Sequence, residues 1–134
     1  MEIKTIIAIA IGAAVGTIAR YSLNIYTLAA GYPIGTVIEN LVGSLLLGFL
    51  TGFFIHHIPK DWLKAGLGVG LCGGFTTMST LAADTLLIYN QMNVFQSLLY
   101  VLVSFGGGVA FAILGYLIGD KAGARNNERK VARS

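Results

Sequence analysis

The chain has 134 residues, of which 55% are apolar and 11% are charged, and its formal net charge is +3. A soluble domain carries about 25% charged residues, so this composition favours an integral membrane protein over a nucleic-acid-binding one. The single cysteine, Cys72, excludes a disulfide framework. The sequence has no convincing nucleophile–base pair, nucleotide-binding loop or metal-ligand spacing, so we do not expect an enzyme.

Four long apolar blocks follow one another, at about 3–26, 35–58, 63–89 and 94–119. Each is close to or above the roughly 20 residues that cross a bilayer as a helix. A helix is required because a lone strand leaves its backbone polar groups without partners in lipid. The sequence therefore predicts one all-α domain of four transmembrane helices, and the short links make neighbouring helices antiparallel.

Positive charge is concentrated on one side of these blocks. Arg20 is the only basic residue that belongs to the other side. Because cytoplasmic loops carry the excess of lysine and arginine, we predict a protein of the plasma membrane with both termini in the cytoplasm. The segment 120–134 is then a basic cytoplasmic tail at the lipid surface. The basic residues of the cytoplasmic side are Lys4, Lys60, Lys64, Lys121, Arg125, Arg129, Lys130 and Arg133.

Glycines recur at intervals of four residues in every predicted helix. Such stripes allow close helix packing in lipid, where the hydrophobic effect does not drive association. Four helices with such stripes have more close-packing surface than one compact bundle needs, which suggests a packed dimer. The stripes are Gly12 and Gly16; Gly48 and Gly52; Gly66, Gly70 and Gly74; and Gly115 and Gly119.

The middle of the third block, from Gly73 to Thr80, combines adjacent glycines with four hydroxyl residues. Glycine weakens a helix and hydroxyl groups compete for its backbone bonds, so we predict a break. A break exposes carbonyl oxygens, which suit a small cation, and broken helices are a recurrent way to build ion sites. The alternative is a glycine notch whose hydroxyls bond back to their own helix.

Asn40 is a neutral amide inside the second block, where it could bind an anion or clamp two helices together. Tyr100 and Ser104 lie four residues apart in the fourth helix, so they face the same way and could line the same path.

Three charges are predicted at one depth near the outer surface: Arg20, Glu39 and Asp84. The simpler interpretation is mutual neutralisation of charges that are costly in a membrane. The alternative is an outer vestibule that sets the local potential.

Taken together, these residues resemble the CrcB/Fluc family of fluoride channels over nearly the whole chain. The segment 12–16 followed by Arg20 and Tyr21 resembles the family's first-helix signature. Gly35 and Thr36, followed by Asn40, Gly43 and Gly48, resemble the second. The most specific match is 70–77, followed by Ser79 and Thr80.

The resemblance implies passive export of fluoride by an antiparallel dimer, in which one subunit is inverted relative to the other. It implies a central sodium ion, structural and not transported, held by the backbone carbonyls of Gly73 and Thr76. It also implies two fluoride paths along the interface. The residues expected there are Asn40, Met78, Ser79, Thr80, Leu81, Tyr100 and Ser104.

Two departures from the family pattern follow from the same comparison. Similar proteins carry phenylalanine at the positions of Met78 and Leu81, where the electropositive ring edge can touch an anion, and a hydroxyl residue at the position of Gly108. An inverted homodimer also needs a weak charge bias, whereas this chain's bias is strong. From the charge bias we therefore expect a fixed orientation and a homologous partner subunit inserted the other way. The resemblance by itself also leaves an identical copy open as the inverted second subunit.

Two other functions were weighed. A small multidrug exporter would need a membrane carboxylate for proton coupling, and Glu39 is the only one in the first two spans. A non-transporting scaffold would explain the glycines but not the cluster from Gly73 to Thr80.

Overall fold

The computed structural model describes residues 2–131, without the side chains of Leu28, Arg129 and Lys130. Within these residues, four long apolar helical spans confirm the predicted all-α membrane fold. The spans are α1 (Ile3–Thr27), α2 (Ile34–His56), a third span of several elements (Asp61–Gln91) and α6 (Val94–Val131).

The third span changes its helical form along its length. It begins as α3 (Asp61–Ala65), widens into a π-helix (Gly66–Cys72), and returns to one α-helical turn in α4 (Gly73–Phe75). Residues 76–78 are not helical, and α5 (Ser79–Gln91) completes the span. π-Helical geometry is rare and often marks functional sites.

The first and third spans pack through their glycines. A Cβ atom added to Gly70 would lie 2.7 Å from the carbonyl oxygen of Ile9, and one added to Gly74 would lie 2.5 Å from that of Ala13. The contact moves forward by four residues in both helices, so the two spans run parallel. Only glycine permits such backbone contact.

The second and fourth spans form an equivalent parallel pair, which is the most extensive helix contact in the chain. Here the glycines of each helix face the backbone of the other. Gly48 and Gly52 lie against Ala112 and Tyr116, and Gly115 and Gly119 lie against Leu45 and Phe49. All four predicted stripes are therefore occupied within the chain. They leave no surplus stripe to support a dimer, which stays a prediction.

The link between α1 and α2 contains a short 3-10 helix (Leu28–Ala30) that ends at Gly31. Gly31 has a φ of 66°, in the left-handed region that glycine adopts without a steric cost. Pro33 then precedes the first turn of α2, where its missing N–H costs no helical hydrogen bond.

The fourth span continues to Val131, past the end predicted at Gly119. It stays against the end of α2, where Gly123 packs on His56, whose Nε2 lies 2.7 Å from Asp120 Oδ1. His57 Nε2 lies 3.0 Å from Asn126 Nδ2. The first part of the predicted tail is thus helical, and its last residues, 132–134, lie outside the described residues.

Candidate functional site

The candidate site is centred on the non-helical residues 76–78, in the middle of the third span. Thr76 has an extended backbone, with φ −80° and ψ 156°. Its N–H and its hydroxyl both donate to the carbonyl of Cys72, each over 3.0 Å. The chain therefore leaves the helix at a threonine whose N–H keeps its helical bond to Cys72 and whose hydroxyl adds a second donor to the same carbonyl.

Asn40 of α2 holds the next residue of this segment. Its Oδ1 accepts the N–H of Thr77 over 2.8 Å, and its Nδ2 donates to the carbonyl of Thr77 over 3.0 Å. Of the two interpretations of Asn40, the structure shows the clamp between helices directly. The amide also has a second Nδ2 hydrogen, so the clamp does not use all its donors.

These contacts redirect the two N–H groups that a continuous helix would direct to the carbonyls of Gly73 and Thr76. In such a helix, Thr77 N–H would donate to Gly73 and Thr80 N–H to Thr76. Instead, Thr77 donates to Asn40, and Thr80 donates to the hydroxyl of Thr77 over 3.2 Å. Two carbonyl oxygens near the middle of the third span thereby lose these helical donors.

Gly73 and Thr76 also line a cavity of about 390 Å³ between the second, third and fourth spans. A Cβ atom added to Gly73 would meet no atom within 4 Å, so this face of the third span is open. The donor set here is backbone carbonyl oxygen, which suits a hard cation such as sodium. No cluster of three or more metal-ligating side chains occurs among residues 2–131.

The same cavity collects most of the side chains predicted for an anion path. Ser104 is only 2% exposed, and its hydroxyl has no partner within the described part of the chain. Leu81 is buried, whereas Met78 is 71% exposed. Gly108 adds no hydroxyl to this wall. The predicted residues that line the cavity are Asn40, Gly73, Thr76, Met78, Leu81 and Ser104.

Ser79 and Thr80 do not line this cavity but adjoin it through Thr77. The hydroxyl of Thr77 donates to Thr80 Oγ1 over 3.0 Å and lies 3.3 Å from Ser79 Oγ. It also accepts the N–H of Thr80, so it caps the first turn of α5.

Tyr100 lies in a second polar cluster, toward the α1–α2 link. Its hydroxyl donates to Asp84 Oδ2 over 2.8 Å, and Thr36 donates to the same oxygen over 2.6 Å. The Tyr100 ring also packs edge-on against Tyr32 at 5.8 Å. Asp84 and Thr36 line a separate cavity of about 250 Å³. Sequence reasoning had not linked Tyr100 to Asp84, because their contact depends on how α5 meets α6.

Among the described residues, Arg20, Glu39 and Asp84 form no direct ion pairs, so their mutual neutralisation stays a prediction. Arg20 interacts electrostatically with Glu39, but the only ion pair among the described residues joins His56 and Asp120. Asp84 is bonded to hydroxyl groups, and Glu39 Oε1 accepts Asn24 Nδ2 over 2.6 Å. Neutral donors on adjacent helices bind one oxygen of each carboxylate, and Glu39 Oε2 has no hydrogen-bond partner among the described residues.

Comparisons with known proteins found matches over most of the chain. The family model described as CrcB-like protein, camphor resistance (CrcB), matches residues 7–116. A protein of Halalkalibacterium halodurans named fluoride-specific ion channel FluC 2 is 59% identical over 132 residues, covering 98% of this chain and 97% of that protein.

Two further relatives have the same printed name. The protein of Bacillus licheniformis is 43% identical over 132 residues, covering 98% of this chain and 99% of its own length. That of Bacillus subtilis is 44% identical over 114 residues, covering 85% and 86%. The predicted family is thereby confirmed, and the channel names agree with the prediction that the chain is not an enzyme.

Proposed function

Because this chain belongs to the CrcB family, we propose that it is a subunit of a fluoride-selective channel through which fluoride leaves the cell passively. The observation that carries the proposal is the 59% identity, over almost the full length of both chains, to a protein named as such a channel. The cavity beside residues 76–78 provides the corresponding chemistry.

Fluoride is a small anion, and a path for it must replace the hydrogen bonds of its water shell. Neutral donors do this without the strong binding that a cation would produce. The unpartnered hydroxyl of Ser104 and the second Nδ2 hydrogen of Asn40 are two such donors at one cavity. Met78 and Leu81 are the apolar part of this path, and Ser79, Thr80 and Tyr100 extend it beyond the cavity.

A sodium ion bound by the carbonyls of Gly73 and Thr76 is the second part of the proposal. The support is that the N–H donors of a continuous helix, from Thr77 and Thr80, are bonded to side chains instead. The interruption of the third span is then the predicted break, and the sodium ion would supply positive charge beside an anion path.

The third part is an inverted second subunit, either an identical copy or a homologous partner. The support is the open side of the cavity, where Met78 is 71% exposed and Phe105 is 64% exposed. The face at Gly73 is also open. A subunit packed there would close the cavity and could add carbonyls to those of Gly73 and Thr76.

Efflux from liposomes tests the channel. The purified chain is reconstituted into liposomes loaded with fluoride or chloride, in sodium buffer and in buffer with a bulky organic cation. We expect fluoride release without chloride release, and slower fluoride release without sodium.

Protein-free liposomes correct for leakage. Absence of fluoride release would indicate a missing inverted partner or a wrong function, and addition of a homologous subunit separates these. Continued absence with that subunit present would overturn the proposal, and unchanged release without sodium would overturn its sodium part.

A further inference from the structure

Glu39 is a carboxylate that the proposed conduction path does not use. It lies in α2, next to Asn40, and its side chain is 0% exposed. One oxygen, Oε1, accepts the amide of Asn24 over 2.6 Å. The other, Oε2, is buried and has no hydrogen-bond partner within residues 2–131.

The groups around Glu39 do not supply a counter-charge in contact. Arg20 on α1 interacts with it electrostatically, but no arginine or lysine nitrogen of the described residues lies within 4.0 Å of a Glu39 oxygen. Asp84 on α5 adds a second negative charge nearby. Tyr100 on α6 directs its hydroxyl to Asp84 and the carbonyl of Pro33.

A buried ionised carboxylate requires an ion partner or several hydrogen bonds, and Glu39 has one neutral donor. A proton on Oε2 removes the charge and needs no cavity, unlike a metal ion. We propose that Glu39 is a proton-binding site, and that its ionisation places a negative charge one helix position from Asn40 and slows fluoride conduction.

This inference rests on the proposed function only for its effect on conduction. Fluoride is repelled by a carboxylate and not by a carboxylic acid. Binding of a proton from the outer solution to Oε2 therefore raises flux, and alkaline outer solution lowers it. Glutamine keeps the shape of the side chain and the acceptor for Asn24 but cannot ionise.

The transport test compares the wild-type chain with Glu39→Gln at a series of external pH values, after subtraction of leakage from protein-free liposomes. We expect wild-type fluoride efflux to fall as the outer solution becomes alkaline, and the variant to lose this dependence. Asp61→Asn, at an exposed carboxylate far from this cluster, should keep the wild-type profile. An unchanged profile in Glu39→Gln would overturn the proposal.

Infrared spectroscopy tests the proton site without any transport. At neutral pH the wild-type chain should show the C=O stretch of a protonated carboxylic acid, which Glu39→Gln should lack and Asp61→Asn should retain. Absence of that band from the wild-type chain would overturn the proton site even if fluoride efflux were normal. If the wild type showed the band but conducted no fluoride even with a homologous subunit present, the proton site would stand and the proposed function would fail.

Discussion

Asn40 accepts the backbone N–H of Thr77 and donates to the carbonyl of the same residue. One side chain thus satisfies two backbone groups that the interrupted helix leaves without helical partners. The sequence singled out Asn40 because an amide is rare in an apolar block. It did not identify Thr77 as the partner, because the depth of the break relative to α2 depends on packing.

Asn40→Leu tests this pair of hydrogen bonds. The leucine has a similar size but leaves both groups of Thr77 unsatisfied, at about 1–3 kcal/mol for each. We expect a lower free energy of unfolding, measured by titration with a denaturing detergent.

Asn90→Leu is the matched control, because Asn90 is exposed at the end of α5. It should leave stability nearly unchanged. Equal stability of Asn40→Leu and the wild type would show that Asn40 has no structural role.

At the scale of helices, the glycine contacts decide which spans pair. A Cβ atom at Gly115 would collide with the carbonyl oxygen of Leu45, whereas one at Gly106 would meet nothing within 4 Å. Both glycines belong to α6, so they differ in packing and not in the helix that holds them.

We therefore expect Gly115→Ala to be less stable than Gly106→Ala by about 1–3 kcal/mol, the usual cost of overpacking. Both substitutions raise helix propensity by the same amount, so the difference isolates the contact with α2. The measurement is detergent-induced unfolding of both variants. Equal stabilities would mean that α2 and α6 are not in backbone contact at this point.

The four spans and their glycine stripes were predictable because the length of each apolar block and the four-residue spacing of the glycines can be seen directly in the sequence. The pairing of Gly70 with Ile9 and of Gly115 with Leu45 was not, since a stripe does not specify its partner. Arg20 shows the same limit for charge. Its depth follows from its position in α1. The sequence does not show that Glu39 bonds Asn24 instead, because this contact depends on how α1 and α2 are rotated about their axes.

For the whole molecule, orientation is the property on which the proposed assembly depends. The exposed basic side chains Lys4, Lys60, Lys64, Lys121 and Arg125 all belong to the ends predicted to face the cytoplasm. Each lysine or arginine near an anionic lipid surface contributes about 1 kcal/mol to the attraction between the chain and that surface. A chain with this bias should insert in one direction.

Fusions of fluorescent and periplasmic enzyme reporters to the carboxyl terminus measure the orientation. We expect fluorescence from the cytoplasmic reporter and no activity from the periplasmic one, and this outcome would require a different chain as the inverted subunit. Comparable signals from both reporters would contradict a fixed orientation and restore an inverted pair of identical copies.

The parallel pairing of alternate spans also has a consequence for biosynthesis. Gly12 packs against Gly66, which follows it by 54 positions. At about 5–20 residues per second, the ribosome needs roughly 3–11 s to supply that partner. During this interval the glycine face of the first span contacts lipid tails in the bilayer. The second span, although adjacent in sequence, likewise has no contact with α6. Assembly is therefore a late exchange of lipid for protein, and the order of translation cannot be the order of packing.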